Sequence, residues 1–172
     1  IVRWPGVLVG IVAAAAPLTG GLWLLQRRLI YSPDGGVPSV AAMLPGWEDV
    51  GLATTDGIVL GGWYHPPASD APVVVVFNGN AGNRAYRAPL ATALQGHGVQ
   101  VLLFDYRGFG ESEGSPRQLV SPRRHLEDWQ AAVDHATSLP GADGSRIALW
   151  GSSFGGGHAL VTASRRRDVR AV

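Results

Sequence analysis

Hydrophobic and polar positions fall into two regimes along the chain. From Trp4 to Leu25, "WPGVLVGIVAAAAPLTGGLWLL", no charged residue interrupts an apolar run. At about 1.5 Å of rise per residue, a helix of this length crosses the ~30 Å hydrocarbon core of a bilayer. Residues 31–46, rich in Pro, Gly and Ser, are expected to form a linker. Beyond them the pattern changes to short apolar blocks. "WEDVGLATTDGIVLGGWYHPP" reads as two strand-like runs around Asp56-Gly57, a hairpin turn signal. Val73–Phe77, Val99–Phe104 and Arg146–Trp150 are near-continuous apolar runs, the pattern of strands buried on both faces. Helical spacing covers Asn83–Gly96 and Pro122–Leu139, the latter with Leu126, Trp129, Val133 and Ala136 on one face. A further helix is expected over Ser153–Ser164, and Val169–Val172 opens another strand. Buried strands alternating with helices predict an α/β domain over residues 47–172, with a mostly parallel, doubly wound sheet.

Composition sharpens the N-terminal reading. The hydrophobic content of 46% against 16% charged residues is high for a soluble domain, and the excess lies in the first run. Trp4 and Trp23 flank it as interfacial aromatics would, with Arg3 before and Arg27 and Arg28 after. Residues 4–25 are therefore expected to be a single transmembrane anchor. A secretory signal peptide with Val7–Ala16 as its apolar core is the alternative. Pro17 and Gly20-Gly21 argue against a buried soluble helix, because membrane helices tolerate such residues better. The two arginines favour a cytoplasmic C-terminal side, but residues before Ile1 could reverse this, so the orientation is open. A net charge of +1 provides no electrostatic basis for binding nucleic acid. The absence of cysteine removes disulfides and thiolate metal sites.

The chemistry concentrates at "WGSSFGGG", residues 150–157. Gly151, Ser153 and Gly155 have Gly-x-Ser-x-Gly spacing, with a buried strand before and a small-residue helix after, the setting of a nucleophile elbow. Glycines are needed where strand and helix nearly touch, and Gly156 and Gly157 are expected to extend that approach. Ser153 then projects above the sheet at a helix N-terminus, where partial positive charge favours a developing anion. Ser152 is expected to point away from the cleft. Nucleotide binding is disfavoured. "NGNAGN" and "GFGESEG" are not Gly-x-Gly-x-x-Gly, and the elbow lacks the Gly-Lys-Ser/Thr of a P-loop.

"FNGNAGNR", "LLFDYRGFGESEGSP" and "IALWGSSFGGGHAL", in this order, resemble the α/β-hydrolase superfamily, especially its membrane-anchored serine-hydrolase branch and bacterial dienelactone-hydrolase-like proteins. The resemblance implies Ser153 as nucleophile and the backbone amides of Asn80 and Phe154 as an oxyanion hole. Proteins of this kind include esterases, acylglycerol and lysophospholipid lipases, thioesterases and occasional peptidases; the expected reaction here is hydrolysis of carboxylic esters, small or lipid-like, with no cofactor or metal. Asn78-Gly79 stands where the family usually has His-Gly, which leaves the backbone donors intact. Asp105 is expected to tie its loop through Arg107 or nearby amides rather than act as triad acid.

The triad order of this fold is Ser, then Asp or Glu, then His. Only His158 and Asp168 follow Ser153 as histidine and carboxylate. His158 lies on the helix leaving the elbow and is expected to be locally packed. Asp168 is expected at the wrong end of the sheet. His65, His97, His125 and His135 show no triad or metal-ligand spacing. The chain, which opens on Ile1, is therefore expected to be an inactive fragment whose acid and base are encoded elsewhere. The alternative is a membrane-tethered, non-catalytic scaffold of the same fold.

Overall fold

The computed structural model describes residues 4–66, 70–117 and 120–172, the side chains of residues 4 and 5 apart. Arg3, the Trp4 ring and Pro67 therefore lie outside the described residues. The elements in chain order are α1 (Trp4–Ile30), β1 (Ser32–Pro33), α2 (Val40–Met43), β2 (Glu48–Ala53), β3 (Val59–His65), β4 (Ala71–Phe77) and β5 (Ala81–Gly82). A 3₁₀ turn over Arg84–Arg87 leads into α3 (Ala88–Gln95). Then come β6 (Gln100–Phe104), α4 (Pro122–Ser138), β7 (Ala142–Gly151), α5 (Phe154–Ala163) and β8 (Val169–Ala171).

Six strands form one sheet in the order β2-β3-β6-β4-β7-β8. The β2–β3 hairpin joins antiparallel, while β6–β4, β4–β7 and β7–β8 are parallel. The crossover through α3 carries the chain to one side of β4, and the crossover through α4 returns it to the other. This reversal creates a crevice beyond the carboxyl ends of β4 and β7, the place where open α/β sheets bind ligands.

The apolar runs bury both faces of the sheet. Val73, Val75 and Phe77 of β4, with Leu102 and Phe104 of β6, face a core shared with Trp129, Val133 and Ala136 of α4 and Ala159 of α5. The alternate residues Val76, Val101 and Leu103 face α2 and α3 through Val40, Leu44, Ala88 and Ala91. Successive strand side chains point to opposite faces, so a run without polar interruption requires cover on both.

Two stretches differ from expectation. Residues 31–46 hold more order than a linker. β1 pairs in parallel with β5, and Val40 and Leu44 are buried. The expected helix from Asn83 begins as a 3₁₀ turn, with Asn83 as its N-cap accepting from the Ala85 N–H at 3.0 Å. On α4, Leu126 is only partly buried, whereas His125 and Asp128 are fully so. The helix rotates toward them because Asp128 receives the Arg107 main-chain N–H at 2.9 Å and its Nε at 2.7 Å. His125 stacks on Tyr106, with ring centroids 4.4 Å apart.

α1 extends five residues past the expected span, to Ile30. Gly6–Ile30 is long and apolar enough to cross a membrane, and its apolar window is not buried by the rest of the protein. A signal sequence near the N-terminus passes the same test. The end of α1 is tied to the domain by Arg27 Nη1, which donates to the Val120 carbonyl at 2.6 Å.

Burial, reinforced by the neighbouring His158 and Arg107, holds His125 well below the usual histidine range, at about 3. The folded state keeps this ring neutral, while the unfolded chain takes up a proton below about 6.5. The stability it confers is therefore complete above pH 6.5 and is lost as pH falls toward 3. The slope is about 1.4 kcal/mol per pH unit for the single proton. His125→Phe, which preserves the stack on Tyr106, is expected to show a shallower loss of urea midpoint between pH 7 and pH 4.5 than the wild type. Equal slopes would remove His125 from the acid sensitivity.

Candidate active site

The last residues of β4 and β7 stand side by side, Phe77 opposite Gly151. The loops after these strands, 78–83 and 152–153, therefore share the crevice. Ser153 adopts φ 54°, ψ −119° and is the only non-glycine with positive φ among the described residues. Such a conformation costs of order 1–3 kcal/mol and persists only where the surroundings impose it. Here they do. The Gly156 N–H donates back to the Ser153 carbonyl at 3.0 Å and the Gly155 N–H to the Ser152 carbonyl at 3.0 Å. Ser153 is solvent-exposed, while Ser152 is partly buried.

The glycine frame follows from space. A Cβ on residue 151 would lie 2.5 Å from the Gly155 carbonyl carbon, and one on residue 155 would lie 2.5 Å from the Asn78 carbonyl oxygen. Gly156 is tight at 3.2 Å from the Gly151 oxygen. Gly157 differs from expectation: its Cβ position has nothing within 4 Å, so the close approach ends one residue earlier.

Asn78 braces the opposite loop. Its side chain donates to Asp105 Oδ1 at 2.9 Å and accepts from Arg87 Nε at 3.2 Å. Its carbonyl accepts from the Tyr106 hydroxyl at 2.8 Å. Asp105 also accepts from the Arg84 main-chain N–H at 2.6 Å and from its Nη1 at 2.7 Å. Burial pushes this carboxyl up to about 6 against the pull of Arg84, so it is an anion at neutral pH. Of the expected partners, Arg107 or nearby amides, a main-chain amide is present, that of Arg84, whereas the Arg107 side chain is engaged by Asp128 and Asp56. With its oxygens occupied in this way, Asp105 serves as a brace.

The Phe154 N–H opens α5 and has no helical acceptor one turn back. Asn80 lies on the loop after β4 and Phe154 at the start of α5, on the two flanks of the crevice. A negative charge developing at its mouth would meet the N-terminal end of α5. Neither ring nitrogen of His158 faces Ser153. Nδ1 is 2.9 Å from the Phe154 carbonyl and Nε2 is 3.2 Å from that of Pro122. His65 bonds Gln95 and His125 is enclosed. Asp168 pairs with Arg166 at 2.6 Å and precedes β8, the strand beside β7; its carbonyl accepts from the Ile147 N–H, before the end of β7 that carries the elbow. Among the described residues no histidine is hydrogen-bonded to Ser153, and no cluster of three or more His, Cys, Asp or Glu could hold a metal.

Sequence reasoning did not identify Tyr31, whose ring meets that of Phe154 edge-on with centroids 5.3 Å apart. It also missed the Tyr106 hydroxyl. Tyr31 has no periodicity or motif signal, and the motif that contains Tyr106 does not reveal its bond, since both contacts bridge elements distant in sequence.

Residues 68–172 match the family model described as serine aminopeptidase, S33. An uncharacterized protein of Mycobacterium tuberculosis is 44% identical over 165 residues, covering 91% of this chain and 57% of that protein. The Arabidopsis thaliana α/β hydrolase domain-containing protein WAV2 is 33% identical, covering 92% of this chain and 52% of that protein. An esterase of Pyrococcus furiosus superposes with a TM-score of 0.69 at 25% identity, covering 81% of this chain and 54% of that structure. The chain thus spans about half the length of the curated relatives it matches. By family model, relatives and fold together, it belongs to the serine aminopeptidase S33 family of α/β hydrolases.

Proposed function

We propose that the full-length protein is a serine hydrolase of carboxylic esters, small or lipid-like, working through an acyl-enzyme on Ser153. The observation that carries this is the strained, exposed Ser153 on a glycine-framed strand–helix turn in a chain of this family. Ser153 Oγ attacks the ester carbonyl, and the backbone N–H groups of Asn80 and Phe154 hold the resulting oxyanion. One such donor can contribute ~3 kcal/mol to the transition state. Collapse of the tetrahedral intermediate expels the alcohol, and water then releases the acid from the serine. The general base and its carboxylate lie outside these 172 residues, so this stretch by itself is inactive or nearly so. This is consistent with relatives about twice as long. The esterase neighbour supports an ester substrate. α1 acts as a membrane anchor in this reading, supported by its length, hydropathy and lack of burial.

Ser153→Ala in the full-length protein is expected to abolish labelling by a fluorophosphonate probe and to lower ester hydrolysis by at least ~10³-fold. Ser152→Ala should retain both. A full-length protein that neither takes up the probe nor cleaves a panel of acyl esters would remove the hydrolase reading. Gly155→Ala, which drives a methyl into the Asn78 carbonyl, should destabilise the fold by about 1–3 kcal/mol and reduce labelling. Thermal melting and probe uptake measure the two effects separately.

A further inference from the structure

The residues that follow α1 wrap one flank of the candidate site. The Ile30 carbonyl accepts from Asn80 Nδ2 at 2.6 Å, and the Ser32 N–H donates to the Asn80 carbonyl at 3.1 Å. β1 then runs parallel to β5, Ser32 opposite Ala81 and Pro33 opposite Gly82. The Asp34 N–H donates to the Gly82 carbonyl at 3.3 Å, and its carboxylate accepts from the Tyr86 hydroxyl at 3.1 Å. Asn83 Nδ2 donates to the Gly36 carbonyl at 3.2 Å. On the other side of the crevice, the half-buried Tyr31 ring packs against Phe154 and the main core.

Residues 30–36 therefore grip both residues whose amides are assigned to the oxyanion. The 78–83 loop needs such a grip. It contains Gly79 and Gly82, the latter at φ 78°, and its two-residue strand pairs only with β1 among the described residues. A donor that stabilises a transition state must be in position before charge develops, and a misplacement of about 1 Å can cost ~10²-fold in rate.

We propose that the C-terminal end of the apolar helix is a positioning element for catalysis. Tyr31 and the Ile30–Ser32 backbone hold the Asn80 and Phe154 amides in register with Ser153, so the seating of α1 sets the competence of the site. The inference rests on the serine-hydrolase reading above. Tyr31 acts through Phe154 and is a positioning residue; its ring does not enter the chemistry.

The test uses the full-length protein in neutral detergent micelles. Active sites are titrated with a fluorophosphonate, so that kcat is counted per competent serine. Tyr31→Ala is expected to lower kcat per labelled site about tenfold with KM within about twofold, as for loss of an interaction made in the transition state. Tyr31→Phe, which keeps the ring, should recover most of that rate. Asn80→Ala keeps the main-chain N–H but loses the bond to Ile30, and should move kcat in the same direction. Unchanged kcat per site in both alanine variants overturns the proposal, including the case where fewer sites label because the protein is merely less stable. A raised KM with kcat intact also overturns it, making Tyr31 part of the substrate-binding wall. A wild-type protein that never labels at Ser153 instead removes the hydrolase reading, and this inference with it.

Discussion

The contact on which the site depends is the approach of α5 to the loop after β4. Residue 155 sits so close to the Asn78 carbonyl that no side chain fits between them, and residue 151 sits as close to the Gly155 backbone. Two elements from different crossovers are thereby pressed together at the sheet's carboxyl edge. The turn between Gly151 and Gly155 has no room to relax, which holds Ser153 at positive φ. The strain at one residue is offset by the ordinary packing of the two elements that impose it. The Tyr106 hydroxyl bonds the same Asn78 carbonyl at 2.8 Å, so the pressed carbonyl is also satisfied.

Two buried ionic clusters stabilise the loops on either side of this contact. In one, Arg84 spans Asp105 and Glu111 while its guanidinium lies 5.0 Å from the Trp63 ring centroid. In the other, Arg107 joins Asp128 and Asp56. Desolvation makes buried pairs weak contributors to net stability, yet removing one partner leaves a costly uncompensated charge. Their effect is therefore one of specification. Asp105 accepts donors from Asn78 and Arg84, which ties the end of β6 to the loop after β4. Arg107 reaches from the loop after β6 to α4 and to the hairpin turn.

Much of this architecture was legible because it rests on local patterns. Val73–Phe77 announces a strand covered on both faces, and the structure covers it on both. Gly151-Ser152-Ser153-Phe154-Gly155 announces a strand–turn–helix, and the turn is there. Other features were illegible because their cause lies far away in the chain. Residues 31–46 are polar and turn-rich like a linker, and they order only because β5, fifty residues on, offers a strand to pair with. The face of α4 was legible in Trp129, Val133 and Ala136, which are buried, but not at Leu126, which is only partly so because the bond from Arg107 draws Asp128 inward. Arg107, two residues on, or nearby amides looked like the partners of Asp105, and a main-chain amide, that of Arg84, does donate to it. Arg84 is that partner because the parallel pairing of β4 and β6 places the chain after β4 beside the end of β6.

On the serine-hydrolase proposal, the groups that stabilise charge and the groups that move protons have separate origins. Backbone amides after β4 and β7 are placed by strand register, by the packing of α5 and by the pairing of β1 with β5. A general base has to come within about 3 Å of the serine oxygen, and the two histidines packed near α5 fail for a structural reason. His158 spends both ring nitrogens on carbonyls of α4 and α5, and His125 is stacked beneath Tyr106. Both serve the core that supports the elbow. An oxyanion hole without a base still confers roughly 10³–10⁴-fold over water in triad enzymes. On that proposal, the elbow and the loop after β4 supply the electrostatic part of catalysis, and proton transfer falls to a base outside the described residues. This division explains how the elbow can be fully formed in a stretch where no histidine reaches it.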